Sequence, residues 1–190
     1  MSTQTPFRLT TVSRLRIPLI GAMLVASLTA CGSDNEPTAP PSTEPMIALN
    51  PTAEDRSSLE RAIAAVDSSW ATMSAASYAA NYATDTRFTA PTGVVQLGRA
   101  SVQTAHERLF AGPFRGSRRS SVVDDVLWLA ATRAVVERTN DLTGYQFLLP
   151  GQQPTLPGIL RTRERFIFER RDGTWTIVRS QLTSVPPITP

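Results

Sequence analysis

Lysine is missing from this chain, which holds one cysteine and one histidine in 190 residues. A single cysteine excludes an internal disulfide. One cysteine with one histidine excludes a Cys/His zinc site. No Gly-rich phosphate loop, nucleophile elbow or metal-ligand cluster is visible, and no cofactor is called for. No acid precedes Asp34, whereas Arg8, Arg14 and Arg16 lead into an uncharged, mainly apolar run from Ile17 to Ala30. That run is shorter than the roughly 20 residues of a membrane-spanning helix, and no other segment approaches spanning length.

What is present at the start has the layout of a secretory signal. A signal peptidase cut after Ala30 would place Leu28 where a small residue is expected. Leu28-Thr29-Ala30-Cys31 instead resembles the lipobox of bacterial lipoproteins. That resemblance implies diacylation of Cys31, cleavage just before it and an exported protein tethered to the cell envelope; two or more acyl chains hold stably where one does not. Residues 1–30 are thus expected to be a signal peptide. Residues 31–51, with Pro37, Pro40, Pro41, Pro45 and Pro51 among small polar residues, read as a stiff disordered tether. At about 3.1 Å per residue it reaches up to roughly 60 Å. All 19 basic residues are Arg, and three leave with the signal, so sixteen face sixteen Asp plus Glu. Near-zero mature charge gives no reason to expect a nucleic-acid partner.

Residues 52–190 are enough for one domain with a real core. Thr52-Ala53-Glu54-Asp55 after Pro51 reads as a capping-box start. Leu59, Ile63, Val66, Trp70 and Met73 then fall on one helical face. A short second helix over "AASYAANYA" would set Tyr78 and Tyr82 one turn apart. "RFTAPTGVVQLG" reads as two short strands around Pro91-Thr92-Gly93, and a third helix is expected from about Arg99 to Ala111. Four segments rich in β-branched and aromatic residues follow: "SSVVDDVLWLA", "RAVVERTND", "ILRTRERFIFERR" and "TWTIVRSQLTSV". Helices first and antiparallel strands afterwards mean α+β. The 144–158 connection, with Pro150, Pro154 and Pro157, is long enough to be functional or disordered, and Tyr145, Phe147, Leu148 and Leu149 argue against pure disorder.

Trp70, "YAANYATDTRFTAPTG", "GRASV…HERLF" and "RERFIFERRDGTWTIVRSQLT" occur in that order over about residues 55–185. Together they resemble the SnoaL-like branch of the nuclear transport factor 2-like superfamily, and within it the subgroup named after SgcJ and EcaC. The resemblance implies a cone-shaped fold in which a curved antiparallel sheet wraps N-terminal helices around a pocket, and homodimers packed through the sheet. It does not imply one activity, because the superfamily includes isomerases, cyclases and dehydratases as well as members that only bind or oligomerise. In its ketosteroid-isomerase-like members an aspartate just before the Pro-x-Gly turn is the general base; here Ala90 holds that place. The tyrosine donor of the first helix falls near Val66. Neither part of that machinery is present.

The remaining candidates carry two readings each. His106 shares a helical face with Val102 and Phe110, so it points inward as a pocket acid or base, or as a core histidine satisfied by a backbone carbonyl. Trp70, Tyr78 and Tyr82 floor a pocket or are plain core. Gln181 has the strand parity of Trp175, Ile177 and Arg179, which would bring it to the pocket as a ligand hydrogen-bonder. Asp85, ahead of the first strand, reads as a turn or helix-end residue. Arg161, Arg163 and Arg165 share a sheet face, as an anion site or as a solvated face paired with acids such as Asp124 or Glu137. Arg115, Arg118 and Arg119 fall in a Gly/Ser loop and are expected to be solvated. The functional expectation is a lipid-anchored domain that binds a small apolar ligand or a protein partner as a homodimer. Its alternatives are an enzyme using His106 as acid/base, helped by Gln181 or Asp85, and an oligomeric scaffold with a filled pocket.

Overall fold

The computed structural model describes residues 51–188; Cys31, the signal segment and nearly all of the tether lie outside them. α1 (Ala53–Ala71) starts at the expected capping box. Asp55 N–H donates to the Thr52 hydroxyl, and the Thr52 N–H donates to the Asp55 carboxylate. Leu59, Ile63, Val66 and Trp70 are buried along its inner face. Met73 does not extend that stripe, because the helix ends at Ala71 and Met73 takes a left-handed φ of 52°. Such a backbone turn stops a helix of L-residues.

The second helix is shorter than expected. α2 spans Ala75–Ala79, and Tyr82 opens β1 (Tyr82–Thr89) instead of completing a helical turn with Tyr78. β2 (Val95–Leu97) folds back on β1 around the Pro91-Thr92-Gly93 turn, and α3 spans Arg99–Ala111 as expected. β3 (Arg118–Ala130), β4 (Arg133–Thr143), β5 (Leu160–Arg171) and β6 (Thr174–Ser184) then form a meander. The sheet order is β2-β1-β6-β5-β4-β3. It is mixed, not purely antiparallel, since β1 and β6 run parallel. All of β2, α3 and β3–β5 lies between those two strands, which supplies the long crossover a parallel pair needs.

Curvature comes from extra residues in three strands, β1 among them between Tyr82 and Arg87. β3 carries irregularities between Val123 and Asp125 and between Trp128 and Ala130; in β6, Val178 is inserted between the partners of Ile167 and Phe168. Bulges bend a strand and raise its twist. The concave face of the open sheet receives the helices: α1 packs on β3 and β6, and α3 on β1 and β2. Their shared core includes Leu59, Val66, Val102, Val136, Phe166, Phe168 and Ile177. Fully burying a side chain of this kind contributes about 1.5–3 kcal/mol. The N-terminal half of α1 is pinned to the sheet by polar links as well. Asp55 pairs with Arg170 at 2.8 Å, and Trp175 Nε1 donates to the Ser58 hydroxyl at 3.0 Å.

Candidate functional site

Between the helices and the concave face lies a cavity of about 340 Å³, at the small end of the roughly 300–1,000 Å³ of small-molecule sites. Every layer of the fold contributes a wall: Trp70 from α1, Tyr78 from α2, His106 and Leu109 from α3, Phe88 from β1, and Leu142, Leu160 and Leu182 from β4–β6. Ala90 also faces it, so the position where isomerase-like members carry a base is at the cavity and holds a methyl group. Val66 is core. The 144–158 connection contributes Leu149 and Gln152.

His106 stands at the centre of an aromatic cluster and is 2% exposed. Its ring lies 4.2 Å from that of Tyr78, with Phe88, Phe110 and Trp70 edge-on around it. Nδ1 is 2.8 Å from the carbonyl oxygen of Val102, one turn back on α3. A carbonyl can only accept, so Nδ1 carries the proton and Nε2 keeps its lone pair. Burial lowers the imidazole to about 4, against an opposing effect of that hydrogen bond and of the Glu164 charge. At neutral pH the ring is therefore uncharged, a hydrogen-bond acceptor and a weak base, with no proton on Nε2 to give as an acid.

Tyr78 and Tyr82 join hydroxyl to hydroxyl at 3.0 Å. Burial raises both phenols above their ordinary range, Tyr82 further, so both stay protonated. Tyr78 reaches the cavity; Tyr82 sits behind it and does not line it. Gln181 departs from expectation. The inserted Val178 reverses strand parity, so Ser180 and Leu182 point inward and Gln181 is exposed on the opposite face. Leu182 takes the place at the cavity expected of Gln181. Asp85 is within β1 and exposed, paired with Arg171 at 3.0 Å, which holds its carboxyl below the usual range.

Beneath the cavity runs a charged network that sequence reasoning missed. Arg138 and Glu164 are fully buried and joined at 2.7 Å, and Arg138 also reaches Asp67 on α1 at 2.9 Å. Burial alone would lower the guanidinium, but the charges of Glu164 and Asp67 outweigh it and hold Arg138 above its ordinary range. Glu164 further accepts from Asn140 and Ser180. Arg119, expected to be solvated, is part of β3: its side chain is 5% exposed, pairs with Asp67 at 3.0 Å and lies 4.5 Å above the Trp70 ring. A signal was available. Arg138 shares strand parity with Ala134 and Val136, and Glu164 with Phe166 and Phe168, so both belonged on the core face.

The outer face holds a second, polar groove of about 450 Å³, where Gln181, Arg163 and Thr183 meet Asp124 and Thr139. Arg161 pairs there with Asp141 and Arg165 with Glu137, so two of the three alternating arginines are a paired solvated face. Asp124 instead accepts from the Thr139 hydroxyl. Among the described residues no cluster of His, Cys, Asp and Glu is placed to hold a metal, and no helix is long and apolar enough to cross a membrane.

No family model matches the chain, and no curated protein matches it by sequence. Solved structures do match by shape. A protein with a cystatin-like fold from Caulobacter vibrioides superposes with a TM-score of 0.61 at 20% identity, over 70% of this chain and 92% of that one. A ketosteroid isomerase-like protein from Erwinia carotovora atroseptica gives 0.58 at 15% identity, over 72% and 100%. A nuclear transport factor 2-like protein from Shewanella oneidensis gives 0.52 at 12% identity, over 67% and 98%. The fold is therefore the nuclear transport factor 2-like, cystatin-like α+β cone, as the sequence resemblance implied.

Proposed function

We propose that this chain is an exported protein, lipid-anchored to the cell envelope through Cys31, whose cone-shaped domain binds a small, largely apolar molecule and works as a homodimer. The observation that carries the ligand reading is the cavity: aromatic and aliphatic side chains from α1–α3, β1 and β4–β6 surround most of about 340 Å³. Pockets of this make-up are the usual small-molecule sites. The cavity supports this reading over a scaffold with a filled pocket. Its wall has Ala90 at the place of the isomerase base and a neutral His106, which supports binding over proton-transfer chemistry. Fold neighbours with isomerase-like names do not by themselves bring that activity here.

The test is native mass spectrometry of the protein purified from its own host, weighed before and after denaturation. A dimer carrying a mass that denaturation releases is the expected result. Bare protein mass under both conditions would remove the ligand reading and turn the search to protein partners. One observation favours an enzymatic second reading: Val102 fixes the His106 ring with the Nε2 lone pair available, as a base would require. That reading needs a substrate whose turnover is lost in His106→Ala while the fold survives.

A further inference from the structure

The lining of the cavity runs from buried to exposed side chains. Tyr78, Phe88, His106 and Leu160 are buried and form its inner end, whereas Thr92, Val94 and Arg108 are exposed and mark its mouth. Ala105, Arg108 and Leu109 stand three and four residues apart on α3, so they share the helix face that lines it. Among the described residues no Asp or Glu lines the cavity, and its charged side chains are Arg108 and Arg119.

The two arginines differ in what already meets them. Arg119 is paired with Asp67 at 3.0 Å, and Arg138 with Glu164 and Asp67, so two cations stand against two anions in that network. His106 adds no charge at neutral pH. The Arg108 guanidinium has neither an ion pair nor a hydrogen bond among the described residues. Its neighbour Glu107 accepts from Gln103, one turn back on α3, and does not line the cavity. The last turn of a helix suits a cation, but that leaves the guanidinium N–H donors without an acceptor. An otherwise apolar cavity thus carries one uncompensated positive charge, placed at its mouth.

We propose that Arg108 sets the ligand class of this cavity: small molecules with an apolar, largely aromatic body and one carboxylate, the body held against Trp70, Tyr78 and Phe88 and the carboxylate against Arg108 at the mouth. This assignment rests on the ligand-binding reading of the same cavity. A planar carboxylate meets a guanidinium through two parallel N–H···O bonds. At the mouth it keeps part of its hydration, so it avoids the cost that a charge incurs when fully buried. An amidinium or ammonium in the same place would face a like charge, with no acid in the lining to offset it.

Three probes of one shape test it by isothermal titration calorimetry on the full chain at neutral pH. 2-Naphthoate, 2-naphthamide and 2-naphthamidine share the ring and a planar head group but are anionic, neutral and cationic. The naphthoate is expected to bind about fivefold more tightly than the amide at low salt, the effect of a part-exposed ion pair, and the amidine most weakly. Added salt should narrow the preference, because the pair is exposed. Arg108→Gln should abolish it while leaving naphthamide binding and the thermal midpoint unchanged, since the side chain is on the surface. Arg108→Glu should reverse the order and make the amidine the tightest ligand. Equal binding of naphthoate and naphthamide, or a preference that survives Arg108→Gln, would overturn the role of Arg108 but leave a ligand cavity. Failure of all three probes to bind would overturn the ligand reading itself, and this inference with it.

Discussion

At the residue scale, His106 gives the clearest pH signature. Its folded value of about 4 lies below the ordinary 6.5, so the unfolded chain takes up the proton first. The stability this contributes is fully present above 6.5 and is lost as pH falls towards 4. Between pH 7.5 and pH 5 the loss should be about 2 kcal/mol, because only the unfolded chain is protonated below 6.5 and each pH unit there costs about 1.4 kcal/mol. Urea unfolding across that range should show the slope in the wild type and a flattened one in His106→Leu; an unchanged slope would place the titration elsewhere. The buried Arg138–Glu164 pair makes a second prediction. Arg138→Met strands a buried carboxylate and should cost about 3–5 kcal/mol, whereas adding Glu164→Met should recover much of that loss. Equal unfolding free energies for the single and double variants would show that the two charges are not coupled.

At the scale of elements, the capping box matters because α1 carries Trp70 to the cavity wall and Asp67 to the Arg119 and Arg138 guanidinium groups. Thr52→Ala removes a side-chain acceptor for the Asp55 N–H and should cost about 1 kcal/mol, visible as a lower urea midpoint at constant slope. No change would mean that the Arg170 and Trp175 links hold the helix start unaided. β6 shows how one inserted residue redistributes function. Up to Ile177 simple alternation describes the strand; beyond Val178 it assigns every side chain to the wrong face, and a hydrogen-bonding Gln181 is exchanged for an apolar Leu182. β3 is an edge strand with exposed Val122, Leu127 and Leu129. Asp124 and Asp125 at its bulge place charge in the middle of an edge that would otherwise invite strand pairing.

At the scale of the whole molecule, the outer sheet face is the surface for the proposed homodimer. It combines Val122 and Leu127 with the ion pairs of Arg161 and Arg165 and with Arg163, which has no ion pair among the described residues. Leu127→Arg should convert a dimer to a monomer in sedimentation equilibrium without lowering the thermal midpoint of the monomer; a dimer that survives the change is held through another face. The anchor is a separate matter. Cys31→Ser should move the protein from the membrane pellet to the soluble fraction, and retention in the pellet would remove the lipid reading.

Whatever depends on local order along the chain could be read directly from the sequence. The spacing of Leu59, Ile63, Val66 and Trp70, the capping box, the limits of α3 and the four strand segments all follow from periodicity and turn chemistry over a few residues. The inward direction of His106 was legible for the same reason; that Ala90 stands where isomerase-like members carry a base came from the family resemblance alone. The rest emerged with the folded chain, because it depends on partners far apart in sequence. The parallel β1–β6 pairing, the reversed parity after Val178, the capture of Arg119 by Asp67 and the burial of Arg138 against Glu164 each join residues that no local pattern connects. Buried charge is the extreme case: an arginine in a sequence reads as solvated until a carboxylate from another element is shown to meet it.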